Sequence, residues 1–316
     1  MSRPPTGGPF DRLTELVAKE WPRWLGSEAP SLEWVLESTA RLTAQTSVIL
    51  YAIDSTTRRP TLVAKVSRDP RFGFVVQHES ERSNEARLAL GPEQEKTVPR
   101  PFGLIQTGED LYLISEFAPE GLGWDRLAPA SRAPVTDRLA AWLADLHGRS
   151  ERPLGAVDLR QPELIVNTYI EIFEPPDPVG KRLQNAAESV TSEFATSSTE
   201  ILVHGDFWPG NWRINGGGFT IIDWENAHWS PSPVADEFIY PLSNLTLGRE
   251  GPEHDLMSFS ETYRRHRGLP RRRHDEAELA SIWTAAEVAT RTHRRWGVVE
   301  DWALEWHRAV VRLATR

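Results

Sequence analysis

The sequence predicts an α+β protein with two lobes. Three observations lead to this prediction: short β-rich runs dominate up to residue 117, helical periodicity dominates later, and a turn-rich segment, Ala118-Pro-Glu-Gly-Leu-Gly, separates the two regions. Strands followed by helices across a short joint are typical of α+β architecture. We therefore expect a tail and helix over residues 1–29, a first lobe over residues 30–117 and a second lobe over residues 118–316.

Composition restricts the class of protein. The chain has 316 residues, 39% of them hydrophobic, which is enough for a large core. With no Cys, a disulfide scaffold, a thiolate metal site and a cysteine nucleophile are excluded. The net charge of −9 argues against a nucleic-acid-binding protein. Since no apolar run reaches about 20 residues and the first nine residues lack an apolar segment, we expect a cytoplasmic protein with no membrane partner.

The first lobe is predicted to be an antiparallel sheet with one interposed helix. A helix is predicted over Phe10–Leu25, where apolar residues recur at helical spacing, and another over Gln77–Leu90. The β-rich runs are Glu33–Ser38, Ser47–Asp54, Thr61–Ser67, Phe102–Gln106 and Leu111–Phe117. Polar or proline-containing turns separate the first three runs, which is the pattern of a meander.

The second lobe is predicted to be mainly helical. The predicted helices are Val135–His147, Leu164–Phe173, Lys181–Phe194, Asp275–Arg295 and Val299–Thr315. A β-turn-β segment over Glu200–Trp224, with Gly216-Gly-Gly as its turn, interrupts them. We expect its two apolar strands to pair as a hairpin.

Three oxygen-bearing side chains follow these strands. Asp206 and Asn211 lie five residues apart after an apolar strand, and Asp223 ends the next apolar strand. The hairpin would bring all three side chains together at one end of the paired strands. Carboxylate and amide oxygens suit Mg²⁺, which prefers oxygen ligands. The spacing of the nearby His residues fits no common zinc signature.

The segment His204-Gly-Asp-Phe-Trp-Pro-Gly-Asn211, followed by Ile222-Asp-Trp-Glu, resembles the motif of the aminoglycoside phosphotransferase/choline kinase family, which is similar in fold to the protein kinases. The resemblance implies a two-lobed protein-kinase-like fold that binds ATP or GTP between the lobes. It implies transfer of the γ-phosphoryl group to a hydroxyl of an aminoglycoside, amino sugar or similar metabolite. It also implies that Asp206 is the catalytic base and that Asn211 and Asp223 hold Mg²⁺.

The same resemblance extends over residues 30–245 and assigns further roles. Lys65, in an apolar strand, would anchor the phosphates. Glu85 would be its ion-pair partner, with Glu81 as the rival. Backbone at Glu116 and Phe117 would meet adenine. The resemblance further implies that His204 supports the catalytic loop and that Asp236 braces it.

Some features leave alternatives open. The segment Ser38–Ser47 has no Gly where the family usually carries a Gly- or Ser-rich turn over the phosphates. A protein kinase is one alternative, although the loop reads His-Gly-Asp and no Ala-Pro-Glu follows Asp223. A catalytically inactive nucleotide-binding module is the other.

The remaining expectations concern the acceptor and the surface. The basic run Arg264–His274 is predicted to be a solvated interhelix loop, with contact to an anionic acceptor or to nucleic acid as the alternative. The acceptor is left open among aminoglycosides, sugars, amino alcohols and biosynthetic intermediates. The chain is expected to be a monomer or homodimer.

Overall fold

A computed structural model of the protein describes residues 10–37, 47–67, 69–118, 126–155, 158–215, 218–246, 252–296 and 301–315. It confirms the two-lobed α+β prediction, with an antiparallel sheet in the first part and helices in most of the remainder. The glycine-free segment 38–46 and the turn residues 216–217 lie outside the described residues. No helix in the described ranges has the length and apolar character needed to cross a membrane.

The first lobe is built on a five-stranded antiparallel sheet with the order β1-β2-β3-β5-β4. The strands are β1 (Leu32–Leu36), β2 (Ser47–Asp54), β3 (Pro60–Ser67), β4 (Pro101–Thr107) and β5 (Asp110–Glu116). Helix α1 (Asp11–Leu25) precedes the sheet, and α2 (Gly73–Gln94) is inserted between β3 and β4. Helix α1 and all five strands begin and end within two residues of the predicted positions. Helix α2 extends four residues beyond its predicted range at each end.

Strand alternation divides the sheet into two chemically different faces. In β3, Leu62, Ala64 and Val66 are buried in the core that contains α1. The intervening Val63 and Lys65 line the cleft on the opposite face. Because side chains alternate along a strand, burying the first set on α1 necessarily directs Lys65 into the cleft.

The second lobe is held by a large helical core. Its helices are α3 (Pro129–Arg149), α4 (Gln161–Phe173), α5 (Asp177–Thr196), α6 (Val234–Thr246), α7 (Pro252–Arg267), α8 (His274–Trp296) and α9 (Asp301–Ala314). Apolar faces of α4, α5, α6, α8 and α9 meet in one cluster of buried side chains. A second cluster joins α3 to the last turns of α2, and so packs the lobes together.

The expected hairpin is wrong in its pairing. The remaining strands are β6 (Arg152–Pro153), β7 (Thr199–Val203), β8 (Trp212–Asn215), β9 (Gly218–Ile221) and β10 (His228–Ser230). The hairpin forms between β8 and β9, whereas β7 pairs with β10 and β6. The short polar strand β8 was not identified from the sequence, although it is the partner that the glycine-rich turn requires.

The expectation of a solvated loop is wrong for part of the basic run. The Arg272 guanidinium contacts Glu193 at 2.8 Å and Glu237 at 3.1 Å, and its side chain is 8% exposed. Arg264 lies 3.3 Å from the same fully buried Glu237. These arginines balance the buried carboxylate, which lies next to Asp236 on α6. Arg265, in contrast, is exposed and bonds to Asp137 on the surface.

Replacing Arg272 with Met will lower the free energy of unfolding by about 3 kcal/mol, because the buried carboxylate loses a main partner. The matched Arg265→Met change removes an ion pair whose side chains are 67% and 52% exposed, and should cost less than about 0.5 kcal/mol. Urea unfolding of both variants measures the difference. Equal losses in both variants would show that the buried cluster adds no stability of its own.

Candidate active site

Lys65 lies at the centre of a cluster of three carboxylates. Its ammonium nitrogen is 2.7 Å from Glu79 Oε2, 2.6 Å from Asp223 Oδ1 and 2.9 Å from Glu225 Oε2. The Lys65 side chain is only 11% exposed. Such short contacts between buried opposite charges are strong and geometrically specific.

The partners of Lys65 come from two parts of the fold, one in each lobe. Lys65 extends from the middle of β3, and Glu79 lies on the buried face of α2. Asp223 and Glu225 follow β9 in the short turn that leads toward β10. Asp223 has left-handed backbone angles, φ 66° and ψ 65°, which are unusual for a residue with a side chain. The cluster therefore closes only when sheet, helix and second lobe are all in place.

The predicted partner Glu85 is wrong, and so is its rival Glu81. Glu85 pairs with Arg82 on the surface of α2, and Glu81 accepts a hydrogen bond from Gln77. The residue that reaches Lys65 is Glu79. Six residues are about one and two-thirds turns of helix, so Glu79 and Glu85 point in different directions.

Burial in the structure, more than any pattern in the sequence, singles out Glu79, because the apolar residues Phe74 and Leu88 of α2 are exposed. Glu79, Ser83, Ala86 and Leu90 are buried, and their spacing of four, three and four places them on one face of α2. Only this face packs inward, so a carboxylate on it is the one available to a buried lysine. Glu225, by contrast, carries no signal beyond its closeness to Asp223.

Burial and the neighbouring charges shift the pKa values of Lys65 and Glu79. Burial disfavours the Lys65 ammonium, but the carboxylates of Asp223, Glu225 and Glu79 outweigh burial and hold the pKa of Lys65 well above its ordinary value. Burial raises the pKa of Glu79, and Lys65 opposes that rise. Lys65 is thus fixed as a cation among groups that carry an excess of negative charge.

The loop after β7 carries the other two predicted residues. Asn211 Nδ2 donates to the backbone oxygen of Asp206 at 2.9 Å and to its carboxylate oxygen Oδ2 at 3.0 Å. The amide oxygen of Asn211 is therefore the atom that faces away from these bonds. The backbone oxygen of Asn211 accepts from Ile222 N at 3.0 Å, which ties the loop to the segment that carries Asp223.

His204 fixes the start of this loop as a neutral side chain. Its Nδ1 accepts from the backbone N–H of Asp206 at 3.2 Å, and its Nε2 donates to the backbone oxygen of Ile222 at 3.1 Å. Burial lowers the pKa of His204, in agreement with one ring nitrogen donating and the other accepting. His204 supports the loop, as the resemblance implied.

Asp236 braces the same loop from α6. Its carboxylate accepts from the backbone N–H of His204 at 2.6 Å and of Gly205 at 2.7 Å, and contacts His147 Nε2 at 3.2 Å. Although burial works against the charged form, these donors hold the pKa of Asp236 below its usual value. The carboxylate thus remains ionised inside the core and satisfies two loop amides.

Asp206 lies in a different electrostatic environment. Burial raises the pKa of Asp206 to about 7, the guanidinium of Arg291 opposes the rise, and Asp223 adds to it. Arg291 Nη2 lies 3.9 Å from Asp206 Oδ1. A carboxylate that holds a proton more readily than usual, bonded to Asn211 beside the cleft, is a candidate for proton transfer.

The Lys65 cluster and Asn211 face one cleft of about 720 Å³ between the lobes, and Asp206 adjoins this lining through its bond to Asn211. Strands β2, β3 and β5 line one wall, and Asn211, Asp223 and Glu225 line the other. Glu116 and Phe117, at the end of β5, lie at the joint between the lobes and also line the cleft. An elongated ligand with a flat group at the joint and charged groups near Lys65 fits this arrangement.

The donor set fits a hard divalent cation. Oxygen atoms of Glu79, Asp223 and Glu225 lie within 4.8 Å of one another. Asn211 lines the same cleft as a neutral oxygen donor. Oxygen ligands without sulfur or imidazole are those that Mg²⁺ prefers.

A family model covers the part of the chain that forms this site. A model of the phosphotransferase enzyme family matches residues 50–274, which include every residue of the Lys65 cluster and of the loop. A search of curated protein sequences gives no significant match.

Three solved structures share the fold. A choline kinase from Cryptosporidium parvum is 12% identical, with a TM-score of 0.60 and coverage of 96% of this chain and 94% of that one. Amicoumacin kinase hAmiN, in complex with AMP-PNP, Ca²⁺ and Ami, is 13% identical, with a TM-score of 0.59 and coverage of 95% and 92%. A thermostable mutant of an aminoglycoside phosphotransferase, in complex with ADP and hygromycin B, is 13% identical, with a TM-score of 0.58 and coverage of 94% and 98%.

The loop geometry requires glycine at position 205. Gly205 has φ +73°, and a Cβ there would lie 2.4 Å from the backbone oxygen of Asn226. Gly205→Ala will therefore lower the free energy of unfolding by at least about 2 kcal/mol, from backbone strain and this clash. Gly180→Ala is the matched control, because a Cβ there, in helix α5, meets nothing within 4 Å.

Gly180→Ala should raise the free energy of unfolding by about 0.5 kcal/mol, since it restricts the unfolded chain. Thermal and urea unfolding of both variants measures the two changes. A Gly205→Ala protein as stable as the wild type would contradict the loop geometry described above.

Proposed function

The chain belongs to the phosphotransferase enzyme family, and from this premise we propose that it is a small-molecule kinase. In this proposal it transfers the γ-phosphoryl group of ATP or GTP to a hydroxyl of an aminoglycoside, amino sugar or similar metabolite. The observation that carries the proposal is the convergence of Lys65, Asp223 and the Asp206–Asn211 loop on one cleft.

Lys65 is proposed to hold the phosphates. It is a buried cation that stays charged, and its three carboxylate partners keep its ammonium fixed in the cleft. Glu79 is the partner that comes from the same lobe, so it orients Lys65 without taking part in the chemistry. A fixed cation of this kind stabilises charge on the transferred group without reorganisation during the reaction.

Asp206 is proposed as the catalytic base. The acceptor oxygen forms a bond to the γ-phosphorus while the bond from that phosphorus to the bridging oxygen of the nucleotide breaks. The hydroxyl proton passes to the Asp206 carboxylate. Asn211 bonds to that carboxylate at 3.0 Å and so keeps it in line with the cleft.

Asn211 and Asp223 are proposed to hold Mg²⁺ on the nucleotide phosphates. Bound there, the cation would offset negative charge on the phosphates. Both residues lie on the second-lobe wall of the cleft, opposite the strand that carries Lys65. Glu225, whose oxygen lies in the same cluster as that of Asp223, increases the negative charge that attracts the cation.

The base of the nucleotide is proposed to lie at Glu116 and Phe117. Lys65 pairs in register with Leu113 in the middle of β5. The joint at Glu116 and Phe117 lies further along the chain, at the other end of the cleft. Phe117 and Tyr51 make an edge contact with ring centroids 5.8 Å apart, which gives this end an aromatic wall. In this proposal residues 30–117 form the nucleotide-binding lobe and residues 118–316 the catalytic and acceptor-binding lobe.

The acceptor class follows from the chemistry and from the related structures. A carboxylate base suits an acceptor that gives up a proton as it attacks, and an alcohol is such an acceptor. The solved relatives include proteins named for an aminoglycoside, choline and amicoumacin, with an aminoglycoside, hygromycin B, bound in one of them. A nucleotide-consumption screen with ATP and GTP against aminoglycosides, amino sugars and amino alcohols tests the proposal, with mass spectrometry of the product.

Asp206→Asn will lower kcat by about 10³-fold, because the amide cannot accept the hydroxyl proton. Nucleotide affinity, measured by calorimetry with ADP and Mg²⁺, should stay close to that of the wild type. Asp158→Asn is the matched control, since Asp158 is exposed and bonds to Arg160. Turnover by Asp206→Asn close to that of the wild type would rule out Asp206 as the base.

Glu79→Gln will lower kcat/KM for the nucleotide by at least about tenfold, because Lys65 loses a buried partner that orients it. The matched Glu85→Gln variant removes only a surface contact with Arg82, and should change the same constant by less than about threefold. Steady-state kinetics at varied nucleotide concentration measures both. A larger loss in Glu85→Gln than in Glu79→Gln would contradict the pairing described here.

A further inference from the structure

Arg291 connects the C-terminal helices to the catalytic loop. It lies on α8, and its Nη1 donates to the backbone oxygen of Gly205 at 2.6 Å. Its Nη2 lies 3.9 Å from Asp206 Oδ1, and Glu287, one turn earlier on α8, lies 3.4 Å from Nη1. The Arg291 side chain is 23% exposed. No motif in the sequence pointed to this residue.

The two peptide groups on either side of the Gly205 α-carbon are held by different helices. The N–H of Gly205 donates to Asp236 Oδ1, on α6, at 2.7 Å. Its carbonyl oxygen accepts from Arg291, on α8. Gly205 has φ +73°. Because glycine lacks a Cβ, its backbone can adopt this conformation and several others at little steric cost. The φ and ψ angles of Gly205 are both fixed only when both of these peptide groups are held.

Asp206 follows Gly205 directly, so the direction of its side chain depends on those angles. Rotation about the ψ angle of Gly205 would move the Asp206 carboxylate relative to Asn211 and the cleft. The Asp236 contact restrains the peptide before Gly205, but it does not act on the peptide that leads into Asp206. That second peptide is held on both sides: its N–H, from Asp206, donates to His204 Nδ1 at 3.2 Å, and its carbonyl oxygen accepts from Arg291 at 2.6 Å.

Helix α8 is a rigid base for this contact. Its residues Ile282, Ala285, Ala286 and Ala289 are fully buried in the core of the second lobe. Glu287 pairs with Arg291 at 3.4 Å, and its side chain is 13% exposed. Arg291 is therefore held at its base by packing and at its tip by Glu287 and the loop carbonyl.

We propose that Arg291 is a positioning residue for phosphoryl transfer, which fixes the Gly205 carbonyl and so aims the Asp206 carboxylate at the acceptor hydroxyl. Glu287 keeps the guanidinium in place for this contact. The proposal rests on the proposed function for its catalytic consequence, but the restraint on the loop is a property of the chain itself. Positioning of this kind acts on kcat more than on nucleotide binding.

Arg291→Met and Arg291→Lys test the proposal, with Arg308→Met as the matched control. Arg308 is 67% exposed and bonds to Glu305 on the surface of α9. Three properties are measured for each variant. The first is steady-state kinetics with the acceptor that the wild type phosphorylates, and the second is ADP affinity in the presence of Mg²⁺. The third is hydrogen exchange of the Gly205 and Asp206 amides.

Arg291→Met should lower kcat by about 10²-fold and leave ADP affinity within about twofold of the wild type. Exchange of the two amides should be about tenfold faster or more, because the loop samples other conformations. Arg291→Lys keeps a donor for the carbonyl and should recover part of kcat, and Arg308→Met should match the wild type in every measurement.

The proposal is overturned if Arg291→Met keeps wild-type kcat, or if exchange of the Gly205 and Asp206 amides is unchanged. If the wild type phosphorylates none of the acceptors, the proposed function fails, and the exchange rates alone decide whether Arg291 restrains the loop. If Arg291→Met does not fold, exchange in Glu287→Gln, which removes the partner of Arg291, decides instead. Faster exchange supports the restraint, and exchange at the wild-type rate contradicts it.

Discussion

The site depends on one buried ammonium group held among three carboxylates. Lys65 comes from the sheet, Glu79 from the helix inserted into the same lobe, and Asp223 and Glu225 from the other lobe. One cation cannot balance three neighbouring carboxylates, even with burial raising the pKa of Glu79 to about 7, so the cleft keeps an excess of negative charge. That excess suits a site for a metal–phosphate complex, since a divalent cation can take part of it. The same contacts join the two lobes, so the geometry of the site and the closure of the cleft are set together.

The catalytic loop depends on supports from well-separated parts of the chain. Asp236 reaches it from α6, and Arg291 reaches it from α8. Asp236 is followed by Glu237, which pairs inside the core with Arg272, just before α8. Charges buried in the second lobe thus fix the helices that fix the loop. The long helical part of the chain acts on the candidate chemistry through these contacts, and not only as a scaffold.

Local pattern was enough to predict most of the first lobe and the loop. The strands of the sheet alternate regularly, and the segment from His204 to Asn211 carries its chemistry within eight residues. Contacts between distant segments were not predictable in the same way. Glu85 was preferred, with Glu81 as its rival, and Glu79 was not considered, because the face of α2 that packs inward depends on the whole lobe. Arg272 was taken as solvated because its partners Glu193 and Glu237 are far away in the sequence. Helices α6 and α7 were not identified, and the pairing of β7 was wrong, since only the whole fold decides which strand lies beside it.

The most direct test of the account is a crystal structure of the protein with Mg²⁺ and a nonhydrolysable ATP analogue. The account predicts Lys65 within hydrogen-bond distance of the nucleotide phosphates and Mg²⁺ coordinated by Asn211 and Asp223. It also predicts the base beside Glu116 and Phe117, and the Asp206 carboxylate facing the γ-phosphate. A nucleotide bound outside this cleft, or a metal held without Asn211 and Asp223, would contradict it.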